Sequence, residues 1–234
     1  MWPFKKTYNL LKLLPGGCTD YHSHILPGVD DGISLLEDSL AVLNEYEAAG
    51  IRELWLTPHV MEDCPNTTEG LRKVFGELSE AYSGSVSLHL ASENMLDGLF
   101  QERLSSGDLL PIGRDGNCLL VETSYFNPPI GLHEFIGRIK SAGYFPVLAH
   151  PERYTYMNEK DYSDLKEKGV LFQLNIASVA GMYGMTAKKK AEYIMSKGWY
   201  DISGTDVHRV IQFSKMMSLR TELPGRKFPE MKQI

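Results

Sequence analysis

The sequence predicts an α/β fold, either a β/α barrel or a doubly wound parallel sheet. Short apolar segments such as Leu119–Val121 alternate with amphipathic segments such as Glu69–Tyr82, and about seven such units follow one another. No low-complexity stretch or Ser/Gly linker interrupts the 234 residues. This length favours one barrel domain, predicted at residues 18–234, behind an N-terminal arm of residues 1–17.

The individual elements follow from hydrophobic periodicity and from helix start and stop signals. The first helix is predicted to begin at a capping box, Ser34-Leu-Leu-Glu37, and to end at Gly50. The other predicted helices are Glu69–Tyr82, Leu132–Ala142, Tyr162–Lys168 and Ala187–Lys197. The predicted strands are Ile51–Leu56, Val86–Leu90, Leu119–Val121, Pro146–Ala149, Leu171–Ile176 and Asp201–Ser203. Because strands and helices alternate, the strands are expected to pair in parallel.

Charge and cysteine content argue against several classes of protein. With 24 basic and 30 acidic residues the net charge is −6, and no basic stripe suits a nucleic acid, although bound cations would still allow an anionic substrate. Three scattered cysteines without a CxxC pair indicate reduced thiols in a cytoplasmic protein. The leading segment is too short and polar for stable membrane insertion. It is interpreted as an ordinary leading helix, the alternative being an amphipathic arm that touches a membrane or partner.

Five of the seven histidines, together with several carboxylates, follow predicted strands. Asp20-Tyr-His22-Ser-His24 follows a further predicted strand, which precedes the first helix. His59 follows Ile51–Leu56, Glu93 follows Val86–Leu90, His150 follows Pro146–Ala149 and Asp206-Val-His208 follows Asp201–Ser203. In a parallel barrel all of these strand ends open on one face, so the side chains are expected to meet there. Imidazole and carboxylate groups suit divalent first-row ions. His89 and His133 fall outside this pattern and are interpreted as structural.

The spacing within these segments adds detail to the predicted metal site. The two rings of an HxH pair on a strand point to the same face, although such a pair is a weak signal alone. Glu93 has two oxygens with which to bridge two ions. Asp30 and Asp31 follow the HxH pair, so one of them is a further candidate, the alternative being a plain Asp-Gly turn. The residues alone leave open which aspartate it is.

Basic and aromatic residues next to the predicted ligands suggest an anionic substrate. Arg153 lies three residues beyond His150, and a guanidinium matches phosphate oxygens with two parallel donors. Arg209, directly after His208, is a second candidate; a surface salt bridge is the alternative for Arg153. Four aromatic residues in strand-end loops are candidates to line a slot for a substrate ring, or else are core or surface aromatics. They are Tyr125, Phe126, Tyr154 and Tyr156.

Four segments of the chain resemble the bacterial PHP-type protein-tyrosine phosphatases, named for the polymerase and histidinol phosphatase domain. They are Asp20-Tyr-His-Ser-His-Ile-Leu-Pro-Gly-Val-Asp-Asp-Gly32, Thr57-Pro-His59, Ala149-His-Pro-Glu-Arg-Tyr154 and Gly204-Thr-Asp-Val-His208. The resemblance spans about residues 18 to 210. It implies a distorted TIM-like barrel of about seven parallel strands, the PHP fold, with two or three divalent ions, Mn²⁺ first and Fe, Zn or Mg as other candidates.

The resemblance also implies roles for individual residues. The implied metal ligands are His22, His24, Asp31, His59, Glu93, His150, Asp206 and His208. Arg153 matches a phosphate-contacting arginine of the family. Tyr154 and Tyr125 are expected beside the substrate because of their place in strand-end loops, and not because of the resemblance. Two departures stand out: Glu93 lies in a variant context, Ala91–Asp97, and Phe213 occupies the neighbourhood where the family often places another arginine. Arg209 is the candidate to replace it.

The function implied is hydrolysis of phosphotyrosine by a metal-activated hydroxide. The expected partner is the phosphorylated tail of a tyrosine kinase of capsule or exopolysaccharide production. A homo-oligomer of this chain is compatible with the sequence. A thiolate mechanism is disfavoured because none of the three cysteines has an arginine six residues later. The alternatives are a small-molecule phosphatase of the same fold, such as a histidinol phosphatase, and a catalytically silent metal-bearing binding module.

Overall fold

Parallel strands make up most of the framework in the computed structural model, which describes residues 7–14, 18–222 and 231–234. The strands are β1 (Thr7–Asn9), β2 (Thr19–Asp20), β3 (Glu53–Leu56), β4 (His59–Val60), β5 (Ser87–Leu90), β6 (Glu93–Met95), β7 (Cys118–Glu122), β8 (Phe145–Ala149), β9 (Leu171–Asn175), β10 (Ile202–Gly204) and β11 (Arg220–Glu222). The helices are α1 (Leu36–Ala48), α2 (Thr68–Ala81), α3 (Gly98–Ser106), α4 (Leu132–Ser141), α5 (Glu159–Glu167), α6 (Ile176–Val179), α7 (Gly184–Ser196) and α8 (Val210–Ser218).

Two all-parallel sheets join into a barrel. One has the order β10-β9-β8-β7-β6-β4 and the other the order β2-β3-β5. Short interruptions separate β3 from β4 and β5 from β6, and the ladder continues across them through the Ala91 N–H, which donates to the Leu56 carbonyl at 2.9 Å. The Tyr21 N–H donates to the Ser203 carbonyl at 3.3 Å, which links β2 to β10. The predicted barrel is therefore confirmed over the doubly wound sheet.

Alternate residues of the strands belong to two different cores. Cys118 and Leu120 lie in a small cluster that also contains Tyr21, Trp55, Ala91, Ile112, Val147, Ala149 and Ile202. Leu119 and Val121 lie in the larger core, which also contains helix residues. Because side chains alternate along a strand, the small cluster fills the barrel interior. Glu122 continues the Cys118–Leu120 series and points the same way.

Four predicted helices are confirmed, and the start of another is wrong. Helices α2, α4, α5 and α7 begin and end within three residues of the predicted bounds. The capping box is not formed, because α1 begins at Leu36 with Leu35 as its N-cap and no side-chain capping hydrogen bond. Ser34 lies one residue too early to cap the free N–H groups of the first turn.

The described part of the N-terminal arm is not a leading α-helix as expected. Residues Thr7–Asn9 pair antiparallel with β11, and Leu10–Leu13 form a 3-10 helix. Leu10 and Leu13 are completely or almost completely buried, and the Ser203 hydroxyl donates to the Leu13 carbonyl at 2.6 Å. Residues 1–6 and 15–17 lie outside the described residues. Within the described ranges, every helix is too short or too polar to cross a bilayer.

Candidate metal centre

The eight predicted metal ligands lie at one end of the barrel. His22 and His24 follow β2, His59 begins β4, Glu93 begins β6, His150 follows β8, and Asp206 and His208 follow β10. Asp31 lies in the loop between β2 and α1. The structure thus brings together residues from five distant parts of the sequence, as the strand-end pattern predicts.

One carboxylate oxygen occupies the centre of the cluster. Glu93 Oε2 lies 3.1 Å from His22 Nε2, 3.2 Å from His24 Nε2 and 3.2 Å from His59 Nδ1. Glu93 is completely buried, and its Oε2 accepts no hydrogen bond from any described residue. A buried carboxylate oxygen without a donor is costly, and a cation among these atoms would relieve that cost. This arrangement therefore fits a metal ion.

A second group of donors includes a residue that the sequence reasoning missed. Glu122 Oε1 lies 2.9 Å from His59 Nδ1, yet neither buried atom makes a hydrogen bond with the described part of the chain. His150 Nε2 lies 3.0 Å from Glu93 Oε1 and 4.0 Å from Glu122 Oε2. Together His59, Glu93 and Glu122 could hold one ion. The available signal was position, because Glu122 ends a strand on the side of the barrel where the other candidate ligands follow or begin strands.

A third group lies at the outer edge of the cluster. Asp31 Oδ1 is 3.5 Å from His59 Nε2 and 3.4 Å from His208 Nε2, and the Asp31 side chain is 76% exposed. With His24 these residues form a further set of possible ligands, beside the inner set of His22, His24 and Glu93. His24, His59 and Glu93 each belong to two of the three sets. Shared ligands of this kind suit several neighbouring ions.

Buried side chains behind the cluster hold the imidazoles in place. Asp30 Oδ2 accepts from the His59 N–H at 3.0 Å and lies 2.8 Å from His24 Nδ1. Gln173 Oε1 lies 3.0 Å from His22 Nδ1 and accepts from the His150 N–H at 3.2 Å. Such contacts orient a ring whose other nitrogen faces a metal. They also distinguish the two aspartates, since Asp30 supports the rings from behind.

The charges of the cluster depend on one another. Burial lowers the pKa of His22, but the carboxylates of Glu93 and Asp206 outweigh it and raise that pKa to about 9. Burial raises the pKa of the Glu93 carboxyl, but His22 and His150 hold it well below its usual range. The raised pKa of His22 and the lowered pKa of Glu93 show that positive charge is favoured beside the buried carboxylates. A donor set of this composition suits divalent cations.

Backbone geometry at two of these residues is unusual. His150 has φ +33° and Asp206 has φ +54°, in the left-handed region that side chains other than glycine rarely adopt. Close packing also constrains Gly204, where a Cβ would lie 2.5 Å from the Cβ of His22. Strained residues of this kind concentrate at functional sites.

Arg153 lies at the edge of the cluster. Its Nη1 donates to Asp206 Oδ2 at 2.6 Å, and the Asn175 amide donates to the same oxygen at 2.9 Å. The guanidinium carbon is 4.4 Å from the ring centroid of Tyr125 and 4.1 Å from that of Tyr183. Burial lowers the pKa of Arg153, but Asp206 outweighs it and keeps the group charged. The cluster thus presents a fixed cation next to the candidate ligands.

Tyr154 lies beside the cluster, with its ring centroid 5.7 Å from that of His150, whereas Arg209 has no partner there among the described residues. Arg209 is exposed, and its guanidinium makes no hydrogen bond or ion pair with the described residues. Phe213 is buried and stacks on Tyr46 at 4.1 Å. Tyr154 is completely buried, and its hydroxyl donates to the Ala149 carbonyl at 2.9 Å. Tyr154 therefore supports the half-buried ring of Tyr125 from beneath, at 6.1 Å between centroids.

The other candidate aromatic residues, and the two histidines interpreted as structural, lie outside the cluster of candidate ligands. Phe126 is 72% exposed, and the Tyr156 hydroxyl lies 2.6 Å from the Thr123 hydroxyl. His89 stacks on Trp55 at 4.7 Å, and His133 lies in the first turn of α4. Neither histidine belongs to a group of possible ligands.

Comparisons with known proteins agree with this geometry. YwqE, a tyrosine-protein phosphatase of Bacillus subtilis, is 27% identical over 82% of this chain and 77% of its own length. CpsB, a tyrosine-protein phosphatase of Streptococcus pneumoniae, is 27% identical over 89% and 90%. A crystal structure from work on these two proteins, described as unique metal-dependent tyrosine phosphatases, superimposes with a TM-score of 0.75, at 26% identity over 82% of this chain and 80% of that one. The model of the family "Capsular polysaccharide synthesis, CpsB/CapC" matches residues 18–230. The chain belongs to the CpsB/CapC family of capsular polysaccharide synthesis.

Proposed function

We propose that this protein is a metal-dependent protein-tyrosine phosphatase. The observation that carries the proposal is the environment of the buried Glu93 Oε2. Three imidazole nitrogens surround this oxygen, yet it accepts no hydrogen bond from the described residues. The charged Arg153 lies at the edge of the same cluster, paired with Asp206. The names and the fold of the relatives support the same activity.

The residues that would hold the ions form a shared set of ligands. We assign the ligands as His22, His24, Asp31, His59, Glu93, Glu122, His150, Asp206 and His208. Bound divalent ions supply a nucleophile from water near neutral pH and positive charge for the phosphate oxygens. The mixed nitrogen and carboxylate donors suit several divalent first-row ions, and manganese is our choice among them.

Arg153 binds and orients the phosphate in this proposal. A guanidinium has five in-plane N–H donors, and one of them is used by Asp206. The others remain for the oxygens of a phosphate bound beside the ligands. Because Asp206 and the two tyrosine rings restrain the group, little entropy is lost when the phosphate binds.

The leaving group makes modest demands on the protein. Phosphotyrosine leaves as a phenolate, so a strong general acid is not required. Tyr125 lies beside Arg153 and 5.7 Å from the ring of His150, where it would form one wall for the substrate ring. Offset stacking of two aromatic rings at such distances is favourable by about 1 kcal/mol.

Cysteine chemistry is disfavoured by the environment of the thiols. Burial raises the pKa of Cys118 to about 11, and burial also raises that of Cys64. Thiols with raised pKa values are poor nucleophiles at neutral pH because little thiolate forms. Hydrolysis without a covalent phosphoenzyme is therefore the mechanism that we propose.

The natural substrate that we propose is a tyrosine kinase of capsule or exopolysaccharide production, in the cytoplasm. The family description supports a role in capsular polysaccharide synthesis. The phosphorylated tail of such a kinase would bring a tyrosine to the mouth of the barrel.

A comparison of substrates tests the proposal. Purified protein loaded with Mn²⁺ is assayed on a phosphotyrosine peptide and on histidinol phosphate, before and after treatment with EDTA. We expect metal-dependent turnover that is faster on the peptide. Faster turnover of histidinol phosphate would indicate a small-molecule phosphatase, and no turnover of either substrate by metal-loaded protein would indicate a silent binding module.

A further inference from the structure

Two aromatic rings lie against the Arg153 guanidinium. Its central carbon is 4.4 Å from the ring centroid of Tyr125 and 4.1 Å from that of Tyr183. The Arg153 side chain is only 17% exposed, so these contacts are largely shielded from water. Cation–π contacts are strongest when they are desolvated. The two rings therefore restrain the guanidinium, while the N–H groups that Asp206 does not use stay free to bind an anion.

Hydrogen bonds through Gln212 link Tyr183 to the segment Asp206–His208, which carries two candidate ligands. The Gln212 amide donates to the Tyr183 hydroxyl at 3.2 Å and to the Asp206 carbonyl at 3.2 Å. The Gln212 carbonyl accepts from the His208 N–H at 2.8 Å. Tyr183 immediately precedes α7, so this single glutamine connects α8, α7 and the Asp206–His208 segment.

Asp206 provides a third contact that restrains Arg153. Nη1 of Arg153 donates to Asp206 Oδ2 at 2.6 Å, in addition to the contacts with the rings of Tyr125 and Tyr183. Without Tyr183, one of these three contacts would be lost, and the guanidinium would be freer to move away from its position beside the ligands.

We propose that Tyr183 is a positioning residue, which holds Arg153 with its free N–H edge towards the substrate phosphate. The inference rests on the proposed phosphatase function and assigns a role to a residue outside the metal ligands. Tyr183 acts through Arg153, and its own hydroxyl serves Gln212 and not the substrate.

The test compares replacements of Tyr183 in the metal-loaded protein. The inhibition constant of inorganic phosphate is measured against hydrolysis of p-nitrophenyl phosphate, together with the rise in melting temperature that phosphate produces. We expect Tyr183→Met, which has no π face, to weaken phosphate binding about tenfold and to reduce the rise in melting temperature. Tyr183→Phe keeps the ring and is expected to stay within about threefold of wild type. Tyr193→Met, on the helix that follows Tyr183 and in edge-to-face contact with Trp199, serves as the matched control.

A double-mutant cycle separates positioning from a general structural role. If Tyr183 acts through Arg153, Tyr183→Met has little further effect on phosphate binding in an Arg153→Ala background, within about twofold. Equal losses in both backgrounds would overturn the inference, as would wild-type phosphate affinity in Tyr183→Met. If Tyr183→Met does not fold, Tyr183→Phe still decides, since a loss as large as that of Arg153→Ala would show that the ring is not what matters.

The inference and the proposed function fail in different ways. A wild-type protein without metal-dependent phosphatase activity would overturn both. A wild-type enzyme that is active and loses phosphate affinity with Arg153→Ala, but not with Tyr183→Met, would overturn only the role of Tyr183.

Discussion

Glu122 provides a test at the level of one side chain. We expect Glu122→Gln to lower bound metal and to reduce phosphatase activity at least about 100-fold, because even residues behind a ligand affect metal affinity 10–100-fold. Metal analysis and p-nitrophenyl phosphate turnover check this expectation. Glu134→Gln, an exposed change on α4, is the control. Normal metal content and activity in Glu122→Gln would remove Glu122 from the ligand set.

Most of the candidate ligands are recognisable from sequence because they follow predicted strands. Histidines are scarce in this chain, so five of seven at strand ends is a strong signal. Glu122 was missed because a glutamate after an apolar strand is common and no histidine lies near it in sequence. The resemblance implies Asp31 as the ligand of the Asp30-Asp31 pair, and the structure adds the role of Asp30, which is hydrogen-bonded to His24.

The shape of the Arg153 side chain is expected to matter as well as its charge. Arg153→Lys keeps the charge but loses the planar donors and the stacking surface between the two tyrosine rings. We expect kcat/KM on a phosphotyrosine peptide to fall by about 10- to 100-fold, in line with the loss of one charge-assisted pair of hydrogen bonds. Arg138→Lys, on the exposed face of α4, should leave kcat/KM unchanged. An unaffected Arg153→Lys enzyme would mean that only the positive charge is used.

At the level of elements, long amphipathic helices were predictable and short or weakly signalled ones were not. Helix α3 has Asp97 as its N-cap and Gly107 as its C-cap, yet its Asp-Gly start is also typical of a turn. Helix α8 begins at Val210, and its N-cap Arg209 makes no side-chain capping hydrogen bond, which leaves only periodicity as a signal. Strands β1 and β11 have three residues each and depend on pairing between the two ends of the chain, which local sequence does not indicate.

The contact between β10 and the segment after β2 allows a test of barrel closure. A Cβ at Gly204 would lie 2.5 Å from the Cβ of His22 and 2.7 Å from its backbone nitrogen. We expect Gly204→Ala to lower the free energy of unfolding by about 1–3 kcal/mol, as overpacking does, and to disturb His22. Urea unfolding measures the loss. Gly76→Ala, within α2 and with nothing within 4 Å, should instead add about 0.5–1 kcal/mol. If both changes have the same effect, the close approach is not limiting.

The start of β10 is held by a buried ionic contact that depends on pH. Asp201 accepts from the Phe172 N–H at 2.9 Å, from Lys166 at 2.6 Å and from Lys232 at 2.7 Å. Burial raises the pKa of Asp201, but these donors outweigh it and lower the pKa below its usual value of 3.8. A lowered pKa in the folded state stabilises the fold above the unfolded-state pKa and is lost as pH falls through the folded-state value.

The sign of this effect determines the expected profile for Asp201→Asn. The difference in the free energy of unfolding between wild type and variant should stay constant from about pH 8 to pH 5 and shrink below about pH 4. Urea unfolding across this range measures it, and metal release affects both proteins alike because Asp201 is outside the ligand set. Asp164→Asn, in an exposed pair with Lys160, should show little effect at any pH. If the difference in the free energy of unfolding between wild type and Asp201→Asn grows as the pH falls, the pKa of Asp201 is not lowered in the folded state.

At the scale of the whole molecule, the barrel explains why residues far apart in sequence form one site. Parallel strands place their carboxyl ends together, and six positions of this kind around the barrel, with Glu122 among them, deliver histidine or carboxylate groups. The fold class and this convergence could be predicted because both follow from the strand–helix rhythm. The interruptions between β3 and β4 and between β5 and β6 could not, because they depend on how neighbouring strands register.

In the proposed mechanism these strand ends jointly hold the divalent ions that drive phosphate hydrolysis. Replacing Glu93 is the sharpest test of this arrangement, because its two oxygens face four imidazoles. Bound metal per chain and phosphatase activity are measured on the same samples of wild type, Glu93→Gln and the exposed control Glu77→Gln. For wild type and control we predict about two or three ions per active chain. Glu93→Gln should lose most of its metal, and its activity should fall at least about 1000-fold. Full metal content and full activity in Glu93→Gln would contradict the proposed metal centre.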